Sequence, residues 1–169
     1  MYKLSNKSFI LLILLSCIFT SSCNKVIYTE GFVGNGTFIN SPNKGVITMN
    51  VQGVGRSRKQ REYNAVNNAL KILIYQGLPG SGVAETGLVR YNTGEENAAN
   101  SVFKKMFESN KHLSFIVQIN DVGNVRRTSE IGGVSARLVK KSVDYSVGVN
   151  YEALRRYMED QNVIRKFGF

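Results

Sequence analysis

Between residues 139 and 150 the chain alternates more strictly than anywhere else. Val139, Val143, Tyr145, Val147 and Val149 fall on one side, with only Lys141 out of pattern, while Lys140, Ser142, Asp144, Ser146, Gly148 and Asn150 fall on the other. Successive side chains of a strand point to opposite faces, so this segment reads as a strand with one face on a core and one polar face. Strands of a doubly wound parallel sheet are buried on both faces and need near-continuous apolar runs. The alternation instead calls for an antiparallel or mixed sheet covered by helices on one side, a two-layer α+β fold.

The remaining segments supply partners for that sheet. Residues 46–54 alternate too, with Ile47, Met49 and Val51 opposite Thr48, Asn50 and Gln52, and the strand ends in Gly53-Val54-Gly55. Ser57 and Gln60 have the spacing of a capping box, which satisfies two orphan amides at a helix start. Val66, Ala69, Leu70, Leu73 and Ile74 then follow 3.6-residue spacing, widened by Ala65 and Ile72, until Gly77 and Pro79 end the helix and open a loop at 77–82. Thr93 and Glu96 form a second capping box before Ala98, Ala99, Val102, Phe103, Met106 and Phe107, and this helix runs out at Ser109-Asn110. Leu113, Phe115, Val117 and Ile119 predict an inward strand face, and the turn formers of 121–135 predict a loop. Leu154, Tyr157 and Met158 give a last helix from Tyr151, with Ile164 and Phe167 closing the chain. The order is β–α–α–β–β–α, a single α+β domain over 46–169. Residues 23–45 are expected to be a tether with one or two short strands and a turn at 42–45.

The first 22 residues have another character. Lys3 and Lys7 precede an apolar run at 9–19, FILLILLSCIF, followed by Thr20, Ser21, Ser22 and Cys23. At ~1.5 Å per residue such a run cannot cross a hydrocarbon core of ~30 Å, whereas it suits the apolar centre of a secretory signal. The segment resembles a bacterial lipoprotein signal, and its Ser-Ser-Cys ending is similar to those of the Bacteroidota. The resemblance implies lipidation of Cys23 as the first mature residue, although Thr20 stands where Leu is usual. Cys17, after Leu14, Leu15 and Ser16, is the rival position, and the longer apolar run favours Cys23. Asn24 and Lys25 follow in place of an Asp or an acidic cluster, which by the same resemblance implies the outer membrane and its periplasmic face.

Charge narrows the chemistry. Lys and Arg number 22 against 12 Asp and Glu, for a formal net charge of +10. Arg56, Arg58, Lys59 and Arg61 crowd the start of the first helix, where the helix dipole favours acidic residues by about 0.3–1 kcal/mol each. They form the candidate partner-binding edge, for an acidic protein partner or for phosphorylated lipid headgroups. The pairs Arg126-Arg127, Lys140-Lys141, Arg155-Arg156 and Arg165-Lys166 spread further charge. Nucleic acid would be the default partner of so basic a chain in the cytosol, and export argues against it. Gly53-Val54-Gly55 invites a phosphate loop, yet Arg58 holds the place of the third glycine of the dinucleotide fingerprint and no Gly-Lys-Ser/Thr occurs. The glycines read better as a tight strand-to-helix passage.

His112 is the sole imidazole, no Gly-x-Ser-x-Gly occurs, and the Glu95-Glu96 and Glu159-Asp160 pairs sit where helix ends and solvated faces explain them. The expectation is a protein that is not an enzyme, with no cofactor and no metal. The order of strand, Gly-x-Gly and helix with Ala65 and Ala69 resembles the small α/β domain of bacterial envelope lipoproteins of the LPP20 type and the N-terminal domain of the flagellar protein FlgT, over residues 46–77 and weakly over the last strand and helix. That resemblance implies a structural or assembly role in the cell envelope, for instance in a secretion apparatus. The alternative is a periplasmic module that binds a ligand, a lipid or cell-wall polymer.

Overall fold

The computed structural model describes residues 35–90, 95–128 and 140–166. Cys17, Cys23, Thr93, Val139 and Phe167 lie outside the described residues. The elements are β1 (Thr37–Asn40), β2 (Val46–Gly55), α1 (Arg58–Lys71), α2 (Glu95–Glu108), β3 (Ile116–Thr128), β4 (Lys140–Asn150) and α3 (Tyr151–Asp160). The strands form one antiparallel sheet in the order β1-β2-β4-β3, and the helices pack against it, an α+β fold.

The inner face of the sheet follows the alternation. Ile47, Met49 and Val51 of β2, and Val143, Tyr145, Val147 and Val149 of β4, are buried. Against them lies the apolar stripe of α1, where Ala65, Val66, Ala69 and Leu70 are buried. Ala99, Phe103, Met106 and Phe107 of α2 and Leu154 and Met158 of α3 complete the core. Each large side chain buried this fully contributes roughly 1.5–3 kcal/mol relative to exposure. Ala98, by contrast, is exposed and Val102 only half-buried, so the inward stripe of α2 is narrower than the spacing implied. At the start of α3, Asn150 ends β4 and caps the helix, its Oδ1 accepting the Ala153 N–H at 3.0 Å.

Where the α1 stripe continues, the helix widens into a π-turn at Ile72–Gln76, closed by Gly77 N–H donating to the Ile72 carbonyl at 2.7 Å. The following loop returns to serve the carbonyls left over. Leu88 N–H donates to Leu73 O at 3.2 Å and Val89 N–H to Ile74 O at 2.9 Å. This return brings backbone onto backbone, and a Cβ at Gly77 or Gly87 would stand 2.5 Å from the main chain of Thr86 or Tyr75. The tip is closed by Glu85, whose carboxylate accepts the N–H groups of Gly80 and Gly82 at 3.2 and 2.9 Å.

Two expectations are corrected in β3. Leu113 and Phe115 belong to a 3-10 turn at Lys111–Phe115, entered through Asn110 in the left-handed conformation (φ 57°), and the strand begins only at Ile116. Phe115 is buried, but Leu113 and Val117 are exposed at 58% and 56%. The reason is a register shift between Ile116 and Gln118. It leaves Val117 as an extra residue and puts Ile116 and Ile119 opposite Val149 and Val147 on the core side. The second correction is that β3 does not give way to a loop at 121. It pairs with β4 as far as Thr128↔Lys140. The turn formers are absorbed by a second shift between Asp121 and Val125, where Gly123 takes φ +86° and donates its N–H to Asp121 Oδ1 at 2.8 Å. Turn chemistry bent the strand without ending it because the long partner β4 continues the ladder on the other side. The rest of the expected loop, 129–135, lies outside the described residues.

Candidate partner-binding surface

The surface is built where β2 passes into α1. Gly53 and Gly55 have ordinary negative φ, so the glycines are required by space and not by backbone conformation. A Cβ at Gly53 would stand well inside van der Waals contact with the Arg61 carbonyl oxygen and 2.9 Å from the Tyr145 ring; one at Gly55 would stand 2.7 Å from Gln60 Cβ. The first turns of α1 therefore rest directly on the strand, and the Gly-x-Gly serves helix–sheet packing. The capping box holds the junction: Gln60 N–H donates to Ser57 Oγ at 3.2 Å, and Ser57 N–H to Gln60 Oε1 at 3.3 Å. Gln60 Oε1 also accepts the Arg56 N–H at 3.0 Å.

Two asparagines complete this join. The pairing of β1 with β2 reaches Asn50 and stops, leaving the edge of β2 at Gln52 and Val54 without a strand neighbour among the described residues. Asn64 Oδ1 accepts the Val54 N–H at 2.8 Å, and Asn68 Nδ2 donates to the Gln52 carbonyl at 2.8 Å. One donor and one acceptor from α1 thus replace those a neighbouring strand would offer.

The four cations taken together in sequence have different roles. Arg58 Nε lies 2.7 Å from Glu62 Oε1, and this bond and charge hold its guanidinium above its ordinary pKa, with Asp121 adding a smaller attraction. Arg61 folds back so that Nη1 donates to the Arg56 carbonyl at 3.3 Å, bracing the strand-to-helix passage. Arg56 and Lys59 are exposed, and no acidic residue stands in the first turn of α1. The sheet adds cations that their sequence positions do not reveal. Lys141 pairs with Gly55 on one side and with Arg127 on the other, placing Arg127, Lys141 and Arg56 along one end of the sheet beside the first turn of α1. Antiparallel pairing was the missing step: the Lys140-Lys141 and Arg126-Arg127 pairs lie far from Arg56 in sequence and join it only through the register.

His112 is packed among aromatics. Its ring stacks on Phe107 at 4.2 Å and 7°, meets Tyr63 edge-on at 5.6 Å, and places Nδ1 3.5 Å from the Met106 carbonyl. Only 2% of the residue is exposed. Burial holds the imidazole below its ordinary pKa, opposed in part by the Met106 carbonyl. The unfolded chain therefore binds this proton at a higher pH than the folded one, and stability is full above the unfolded value of about 6.5 and is lost as pH falls toward the lowered folded value. Denaturant titrations at pH 7.5 and pH 5 should show a loss at the lower pH that His112→Phe reduces.

Among the described residues no three His, Cys, Asp or Glu converge as metal ligands, and no helix is long and apolar enough to cross a membrane. An open groove of about 420 Å³ lies between the Lys111–Phe115 turn and α3, with Phe115 and Tyr157 (ring centroids 5.4 Å apart) among its walls and Lys111, Glu152, Arg156 and Asp160 at its margins. Comparison with family models, curated proteins and solved structures gave no match to this chain.

Proposed function

We propose that the chain is a lipid-anchored, non-enzymatic component of the cell envelope. In this reading Cys23 carries the lipid, the outer membrane holds it, and the α+β body faces the periplasm, where it holds or assembles protein partners in an envelope machine such as a secretion apparatus. The observation that carries the reading is the basic end of the body. Cations at a helix start oppose the dipole, and a surface maintained against that cost answers to an anionic counterpart. The apolar run ending in Ser-Ser-Cys supports the anchor, and the resemblance to small envelope lipoproteins supports an assembly role.

Labelled fatty acid supplied to expressing cells should enter the chain, and Cys23→Ala should abolish labelling and release the protein from membranes. Incorporation that persists in the variant would place the lipid on Cys17 or elsewhere. Capture of the native chain from detergent-solubilised membranes should recover protein partners in stoichiometric amounts; recovery of the chain alone would overturn the scaffold role. The groove beside α3 favours the second reading, a periplasmic ligand-, lipid- or cell-wall-binding module. Small molecules retained by the purified chain in native mass spectrometry, and displaced by Tyr157→Ala, would support that alternative.

A further inference from the structure

We infer that the basic end of the domain is a second membrane contact, a cationic face that lies against the anionic phosphate headgroups of the leaflet holding the anchor. It rests on the proposed lipidation at Cys23 and names the anionic counterpart left open there. The face comes from three strands and a helix. Gly55, Lys141 and Arg127 share a row across β2, β4 and β3, Arg56 follows Gly55, and Lys59 stands in the first turn of α1. At ~4.8 Å between strands the row spans about 10 Å and holds two cations, Lys141 and Arg127, with Arg56 and Lys59 beside its Gly55 end. Arg58 is engaged by Glu62 and Arg61 by the Arg56 carbonyl, whereas Arg56, Lys59 and Lys141 are exposed and take no part in the ion pairs of the described residues.

A headgroup layer fits this face better than a folded protein does. Protein interfaces centre on apolar and aromatic side chains that are desolvated together, with charges at the rim. Among the described residues the large exposed apolar side chains are Ile39, Val83, Leu113, Val117 and Val122, and none of these belongs to the basic row or to the first turn of α1. The described residues of the face offer charge. Charge alone suffices at an anionic bilayer, where each Lys or Arg brought to the surface raises partitioning about five-fold. The lipid holds the chain at one point, and a cationic face against the same leaflet fixes which side of the domain meets the headgroups.

The test compares binding of the full Cys23→Ala chain to vesicles of phosphatidylglycerol and of phosphatidylcholine. The apolar leader contributes to both, so the ratio of the two partition coefficients reports charge. Reversal of the three exposed cations, Arg56→Glu, Lys59→Glu and Lys141→Glu together, should lower the ratio by about 100-fold or more. The matched reversal Lys44→Glu, Lys104→Glu and Lys105→Glu makes the same change in net charge at exposed positions elsewhere, and should lower it by less than about 10-fold, the share that net charge alone supplies. Equal losses in the two variants would show diffuse attraction by net charge and overturn the inference. An unchanged ratio in the first variant, accompanied by loss of a captured protein partner, would assign the basic end to that protein and overturn it too. Circular dichroism confirms that both variants fold, and fatty-acid labelling of the unmodified chain tests the anchor separately.

Discussion

Gly53→Ala should destabilise the domain by about 3 kcal/mol or more, seen as a lower urea midpoint with an unchanged slope. Two effects of adding one methyl group oppose each other. At a glycine with ordinary φ, alanine reduces the freedom of the unfolded chain and should stabilise by about 0.4–1 kcal/mol. At Gly53 the new Cβ would instead meet the Arg61 carbonyl oxygen and the Tyr145 ring. Neither can yield cheaply, since the carbonyl belongs to the ladder of α1 and Tyr145 is fully buried. Overpacking against backbone exceeds the entropic gain, and relief requires the first turns of α1 to lift from β2. Gly36→Ala is the control. Its Cβ would meet the Ile72 Cδ1 methyl at 2.8 Å, the far end of a side chain that can turn away, so the change should stay within about 1 kcal/mol. Equal, small effects at both positions would show that the Gly-x-Gly serves flexibility and not contact.

That prediction also marks what a sequence can reveal here. Periodicity is a local property, and it located β2, β4, the core stripe of α1 and the capping box at Ser57 and Gln60, all of which the structure contains. The one-sided strands led to the α+β class for the same reason. Where the structure departs from the periodicity, the cause is shared. Strict alternation carried through a bulge points Val117 inward, and the turn-forming Asp, Gly and Asn of 121–128 point to a loop. In both places the deciding partner was β4, remote in sequence. The basic end shows the same limit. Arg56 to Arg61 could be read as a cluster, but which of them would be engaged by Glu62 or by a carbonyl, and that Lys141 and Arg127 would join them, follow from contacts that only the folded sheet creates.

Asn64 and Asn68 carry no distinctive sequence signal, as asparagines beside a helix's apolar stripe, and they give the second large effect. Asn68→Asp should cost about 3 kcal/mol or more, while Asn64→Asp should cost less than about 1 kcal/mol, although each exchanges one amide for one carboxylate. The asymmetry follows from which atom each uses. Asn64 acts through an oxygen that accepts the Val54 N–H, and also faces the Asn68 amide at 3.4 Å, so a carboxylate can keep both roles. Asn68 acts through a nitrogen that donates to the Gln52 carbonyl, and it is 1% exposed. A carboxylate there would turn an oxygen onto an oxygen in a place where water cannot separate them, and a buried charge left without a partner is among the costlier single changes. The loss reaches beyond stability. With Asn68 displaced, the end of β2 past β1 offers an unpaired carbonyl at a sheet edge, the geometry that recruits a strand from another chain. Asn68→Asp should therefore lower the midpoint of denaturation and increase concentration-dependent association in light scattering, and Asn64→Asp should do neither. Similar behaviour of the two variants would mean that the asparagines fill space between α1 and β2 and do not stand in for a strand.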